Sequence, residues 1–148
     1  MLDKAHWQHL IPHRGAMCLL DAVAAWDETH IHARAGSHRD PHNPLRSGGR
    51  LHALNLCEYG AQAMAVHGGL LAQREGAAAA PGLLVSLREV KLHAIRIDDL
   101  PGDLEIHASK IAAGADAMQY AFRIEHANVV LAEGRAAVMT SSPGCRPA

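Results

Sequence analysis

The stretch from Leu51 to Gln73 constrains this chain more than any other feature. It contains no proline and is rich in Leu, Ala, Met and Gln, all good helix formers. Small and apolar residues run round its whole circumference rather than along one stripe. A helix with that pattern is buried on most sides. Gly60, Gly68 and Gly69 lower its intrinsic propensity, so packing must hold it together. Burying such a helix requires a sheet wide enough to curl around it.

The rest of the chain supplies that sheet. After Pro81 the apolar period changes from helical to alternating. Met118, Tyr120, Phe122 and Ile124 alternate with Gln119, Ala121, Arg123 and Glu125, the pattern of a half-buried strand. Asp103 to Ile111 alternates through Leu104, Ile106 and Ala108, and Val130 to Thr140 reads as a last strand. Between Leu83 and Arg96 the apolar parity shifts, which predicts a long bent strand with a bulge near Arg88. Upstream, Met17 to Ala25 and Thr29 to Ala35 read as two strands joined at Trp26-Asp27-Glu28. Turns are expected at Leu100 to Asp103, Gly114 and Asn128, and a loop at Ala77 to Ala80 closed by Pro81-Gly82. Short turns between consecutive strands imply antiparallel pairing. The expected architecture is α+β: one antiparallel sheet around one central helix, with residues 1–148 as a single domain.

Composition removes several function classes. With 49% apolar and 20% charged residues the chain is not disordered. No apolar run approaches the roughly 18 residues of a membrane span, so no membrane association is expected. The start, MLDKAHWQHLIPHRG, has no apolar core of a secretion signal. A net charge of -1 and 3% aromatic content argue against a nucleic-acid partner. Cys18, Cys57 and Cys145 fit neither a zinc nor a disulfide pattern, so a reducing cytoplasm is expected. His30-x-His32 and His6-x-x-His9 lack a third ligand at zinc spacing, so neither a metal nor any other cofactor is expected. Cys57 adjoins Glu58, but neighbouring helix residues do not face each other, and a core role is expected for the thiol.

Three motifs then line up in order. Ile11-Pro12-His13-Arg14 precedes Leu19-Leu20-Asp21; Asn43-Pro44 precedes Glu58-Tyr59-Gly60-Ala61-Gln62-Ala63; Leu100-Pro101-Gly102-Asp103-Leu104 comes last. Together, over roughly residues 8 to 140, they resemble the hotdog-fold 3-hydroxyacyl-acyl-carrier-protein dehydratases. The stretches IPHRGAMCLLD, SHRDPHNPLR and EYGAQAMAVHG are similar to the dehydratase-like proteins of aryl polyene gene clusters. The resemblance implies elimination of water from a 3-hydroxyacyl thioester, in fatty acid or aryl polyene biosynthesis, with the acyl chain in a tunnel beside the central helix. It also implies a dimer in which base and acid come from different subunits, either a homodimer or a heterodimer with a paralogous dehydratase. Acyl carrier protein is the implied partner, and because carriers are acidic, Arg39, Arg46, Arg50, Lys91 and Arg96 are candidates to receive it.

The chemistry needs a base at the carbon next to the thioester carbonyl, an acid for the departing hydroxyl, and a donor for the carbonyl oxygen. Histidine suits the first role, and the candidates are His38, preferred, and His42. A carboxyl group on an apolar helix suits the second, because burial disfavours its charge; Glu58 is that residue. Asn55 and Gln62 stand one helical turn from it, and with Arg50 and His42 they are the expected substrate-binding residues; Gln62 is also a candidate to orient the carboxyl group or a water. The N–H groups around Arg50 to Ala53 are expected to polarise the thioester. His13 is expected to be structural, bonding to backbone. The rival functions are a hotdog thioesterase, with Glu58 activating water, and a non-catalytic subunit supporting an active paralog.

Overall fold

The computed structural model describes residues 1–77, 82–114 and 117–140. The expected loop between Ala77 and Pro81, and Cys145, lie outside the described residues. Seven strands form one sheet: β1 (Leu2–Asp3), β2 (Ala22–Trp26), β3 (His30–Ala35), β4 (Gly82–Leu92), β5 (Leu104–Ala113), β6 (Ala117–His126) and β7 (Val129–Thr140). Their order is β1-β2-β3-β5-β6-β7-β4, with every pairing antiparallel. A short helix α1 (Lys4–Trp7) follows β1, and the long helix α2 (Leu56–Arg74) separates β3 from β4.

Alternation decides which side of each strand faces α2. In β3, Ile31, Ala33 and Ala35 are fully buried while His30, His32 and Arg34 are half-buried on the other face. Tyr120, Phe122 and Ile124 do the same in β6. The helix packs against β3, β5, β6 and β7, and Leu56, Tyr59, Gly60, Ala63, Val66, His67 and Leu70 are among its buried residues. Phe122 sets the helix-to-sheet distance. A Cβ on Gly60 of α2 would lie 3.0 Å from the Phe122 ring, and one on Gly134 of β7 would lie 2.8 Å from its tip. The ring therefore fills a slot that two missing side chains leave open.

The bent strand carries its bulge where the parity shift placed it. The β4–β7 register slips between Leu84 and Ser86 and again between Arg88 and Lys91. At the second slip Glu89 takes φ 53, a left-handed conformation that a non-glycine residue holds only under outside constraint.

Two boundaries differ from expectation. The helix begins at Leu56, after a 3-10 turn at Ala53–Asn55, and not at Leu51. The reason is a bridge to the segment before β5: Ala53 N–H bonds to the Ile95 carbonyl and Ile97 N–H to the Leu51 carbonyl, each at 2.9 Å. That pins Leu51 and Ala53 on either side of His52, which is extended. At the other end Gly76, at φ 71, closes the helix, with Ala77 N–H on Ala72 O and Gly76 N–H on Gln73 O, the Schellman pattern. The first long strand also starts late, at Ala22 and not Met17. Backbone groups of Met17 and Leu19 are bonded to side chains of α2 and of the turn after β3, so they are not available to a ladder.

Candidate functional site

Glu58 stands on the first turn of α2 with its side chain about 35% exposed. It is less enclosed than its apolar helix implied, although its neighbours Leu56 and Tyr59 are fully buried. Gln62 donates to the Glu58 Oε1, and the His13 ring makes an ion-pair contact with the same oxygen. Gln62 Nε2, one turn on, lies 3.3 Å away, and His13 Nε2 also lies 3.3 Å away. Oε2 has no protein partner among the described residues.

Gln62 is fully buried and its amide is used completely. Its Oε1 accepts from Leu19 N–H at 2.9 Å, and its Nε2 donates to the Met17 carbonyl at 2.7 Å as well as to Glu58. Gln62 was expected to bind substrate or to orient the carboxyl group; its amide bonds Glu58 and the 17–19 segment. Asn55, the last residue of the 3-10 turn, donates from Nδ2 to the His52 carbonyl at 3.1 Å on the exposed side and makes no polar contact with Glu58.

His13 is the residue that sequence reasoning passed over. It was expected to bond to backbone, whereas its ring faces the carboxyl group. Arg14 fixes the turn that delivers it, reaching the carbonyls of Ile11, Gln8 (3.3 Å) and His13 (3.0 Å). His13 Nδ1 is buried without a hydrogen-bond partner. No local pattern joins position 13 to position 58; only the Pro-His-Arg triplet marked the segment as special.

His38 lies on the 3-10 turn Ser37–Arg39 after β3 and is fully buried. Its Nε2 donates to the Leu100 carbonyl at 3.0 Å, which places the neutral ring's hydrogen there and leaves Nδ1 as a bare lone pair. That Nδ1 is buried and has no partner. Burial pushes the imidazole pKa down, so the ring is neutral near pH 7. A buried hydrogen-bond chain supports this turn. Ser37 Oγ donates to the Leu19 carbonyl at 2.7 Å, so Tyr59 O–H donates to Ser37 Oγ at 2.8 Å, and Asn43 Nδ2 donates to Tyr59 at 3.2 Å. No hydrogen bond or ion pair joins His38 to Glu58 within one chain.

The remaining candidates sit apart. His42 is exposed in an Asx turn whose N–H bonds to Asp40 Oδ1 at 2.8 Å. Arg50 is exposed. The N–H groups of Arg50, Leu51 and Ala53, expected to polarise a thioester, are bonded to Ser47 O, Asp98 Oδ1 and Ile95 O. Of these, the Ala53 bond belongs to the bridge that delays the helix. Among the proposed docking cations, Arg39 pairs with Asp103 at 3.2 Å and Arg96 with Asp98, while Arg46 bonds to the His38 and Gly49 carbonyls. Cys57 is buried, and burial pushes its thiol pKa up, which disfavours the nucleophilic thiolate. His30, His32 and His107 cluster on the outer sheet face, with the last two rings stacked at 4.2 Å. Among the described residues no three His, Cys, Asp or Glu side chains are placed to hold a metal. A cavity of about 370 Å³ is lined by Lys4, Asp21, Ser37, Arg39 and Asp103 among others. It is polar, unlike the expected acyl tunnel, and neither His38 nor Glu58 lines it.

A sheet wrapped round one buried helix, with a carboxyl group on the helix's first turn, is the hotdog fold. Within that class the chain belongs to the ApeP-like family, the ApeP dehydratases, whose family model matches residues 5–144. It is thus a member of a hotdog dehydratase family, as a dehydratase-type enzyme or a paralog of one. The chain resembles the dehydratase heterocomplex ApeI:P from Xenorhabdus doucetiae, with TM-score 0.82 and 22% identity, covering 92% of this chain and 91% of that one. It also resembles a hypothetical thioesterase protein with coenzyme A from Streptococcus pneumoniae, with TM-score 0.59 and 11% identity over 81% of this chain and 84% of that one. A thioesterase from Haemophilus influenzae gives TM-score 0.56 and 14% identity over 86% and 82%. No curated protein sequence matches the chain.

Proposed function

We propose that this protein dehydrates a 3-hydroxyacyl thioester, carried on acyl carrier protein, to the trans-2-enoyl thioester. The observation that carries the proposal is the Glu58 carboxyl group, tied at Oε1 by a buried glutamine and open at Oε2. Oε2 is the oxygen that gives a proton to the departing hydroxyl. His38 is the base. Its neutral ring and unshared Nδ1 lone pair suit removal of the proton next to the thioester carbonyl. Because the two do not meet within one chain, the proposal includes a dimer, with itself or with a paralogous dehydratase, in which one subunit's base serves the other's acid. The acyl chain then lies along the subunit boundary beside α2. Arg50 and Lys91, both exposed, remain the cations offered to the carrier.

A second reading has its own observation. The N–H groups of Arg50, Leu51 and Ala53 are already bonded, which leaves His52 N–H as the one expected donor to the carbonyl oxygen without a bond among the described residues. That favours a subunit that supports catalysis in an active paralog.

One assay separates these readings: enoyl-thioester absorbance on adding 3-hydroxyacyl carrier protein, with and without a paralogous dehydratase. His38→Ala and Glu58→Gln should lose on the order of 10²- to 10⁴-fold in rate, while His42→Ala keeps wild-type turnover. Full activity in Glu58→Gln removes the acid assignment. No turnover by the chain alone, with a paralog's rate raised on mixing and unchanged by Glu58→Gln, supports the second reading. Free thiol released without enoyl formation identifies a thioesterase.

A further inference from the structure

We infer that His13 is the positioning residue for Glu58: its Nε2–H ties down Oε1, so that Oε2 alone exchanges the proton with substrate. The inference deepens the dehydratase reading and rests on Glu58 being its acid.

The geometry has three parts. His13 Nε2 lies 3.3 Å from Oε1, the same oxygen that Gln62 reaches at 3.3 Å from the opposite direction along the chain. His13 Nδ1 is buried and faces no acceptor. A hydrogen there would be unpaired in the interior, a costly arrangement, so the neutral tautomer that fits carries its hydrogen on Nε2, pointing at the carboxyl group. Finally, the turn holding His13 is clamped by Arg14 on the carbonyls of Gln8, Ile11 and His13. The ring is thus delivered by a braced segment rather than by a free loop.

A carboxyl group with one oxygen bonded by Gln62 and lying 3.3 Å from His13 Nε2 does not spin freely to offer either oxygen. During elimination the C2–H electron pair becomes the C2=C3 bond and the C3–O pair leaves with oxygen. The proton on Oε2 completes the water. The negative charge left on the carboxylate is met at Oε1 by the His13 and Gln62 N–H groups, which stand in place before the proton moves. The proton gained by the base and the one lost by Glu58 are restored by exchange with solvent.

The test compares His13→Phe, His13→Gln and Glu58→Gln in the enoyl-absorbance assay and in thermal melts. Losing one hydrogen bond to a charged group predicts a fall in kcat of about 10- to 100-fold for His13→Phe, with KM little changed. His13→Gln, whose amide can donate to the same oxygen, should recover most of that loss. A merely structural His13 would lower the melting temperature and raise KM, and glutamine would not rescue kcat. In parallel, ¹⁵N NMR of the ring should show the Nε2–H tautomer, with the Nε2 resonance moving in Glu58→Gln. Wild-type kcat in His13→Phe, or a proton found on Nδ1, overturns the inference. Full turnover in Glu58→Gln instead overturns the acid assignment, and the NMR result then still decides whether the two side chains are coupled.

Discussion

Three glycines on one helix should respond to the same substitution with opposite signs. Replacing glycine by alanine inside a helix gains about 1 kcal/mol of propensity. At Gly68 nothing lies within 4 Å of the added Cβ, so Gly68→Ala should keep that gain. At Gly60 the Cβ would lie 3.0 Å from Phe122 Cγ and Cδ2. The ring has little room to retreat, because its far end already fills the space over Gly134. Overpacking of this kind costs about 1–3 kcal/mol, so Gly60→Ala should lose roughly 1 kcal/mol net. At Gly69 the clash is harsher: the Cβ would lie 2.7 Å from Leu10 Cβ, an atom fixed to its own backbone. Gly69→Ala should lose roughly 2 kcal/mol net. At about 3 °C per kcal/mol for a chain of this size, melting temperatures should rise by about 3 °C, fall by about 3 °C and fall by about 6 °C respectively. The melts are run at one protein concentration, since association adds to apparent stability. Placing Gly60→Ala in a Phe122→Leu background should return it to the stabilising side. If Gly60→Ala raises the melting temperature as Gly68→Ala does, the ring is not wedged between helix and sheet.

Two further predictions concern buried polar groups. Burial lowers the pKa of His38 and His67, and burial with neighbouring charge lowers that of His107 to about 4 from 6.5. Below about 6.5 the unfolded chain therefore binds more protons than the folded one, so stability is full above that pH and declines as pH falls toward the folded values. A melting temperature unchanged between pH 7.5 and pH 5 would contradict this. Separately, Tyr59→Phe removes the hydroxyl between Ser37 and Asn43 and should cost about 1–2 kcal/mol in urea unfolding. No change in the urea midpoint would mean that water serves Ser37 and Asn43 equally well.

How much of this was legible in the sequence follows from how local each feature is. The strands β3 and β6 were readable because a period of two forces their alternate residues to one face; Ile31, Ala33, Phe122 and Ile124 all point inward as the alternation demands. The bulge in β4 was readable because a parity shift in apolar residues has few other causes. The first element was not: β1 has two residues and α1 four, too few for any period to register. The helix start was missed because good helix formers at Leu51 and Ala53 are bonded to Ile97 and Ile95, more than 40 positions away. Glu58 was readable as a carboxyl group on an apolar helix. Its companion was not, since nothing near His13 announces a partner at position 58. The same bridge that shortened the helix also took the Ala53 N–H, one of the groups expected to act on the thioester. One non-local contact therefore changed both the fold reading and the chemistry.

The amide of Gln62 shows why fold and site are hard to separate here. A polar side chain with no exposure is costly unless all its groups are bonded, and Gln62 meets that condition only by joining three things: the Leu19 N–H, the Met17 carbonyl and Glu58. Two of these belong to a segment that has left the strand ladder and would otherwise bury unpaired backbone groups. The third is the carboxyl group of the site. His13 comes from just before that segment, and Ser37, beside His38, bonds to the Leu19 carbonyl within it. The irregular stretch from His13 to Leu19 thus touches the surroundings of both the proposed acid and the proposed base. A regular strand there would satisfy its own backbone and release Gln62, but it would leave Glu58 with no fixed orientation. The stretch stays out of the sheet because its backbone groups are bonded by the side chains that orient the site.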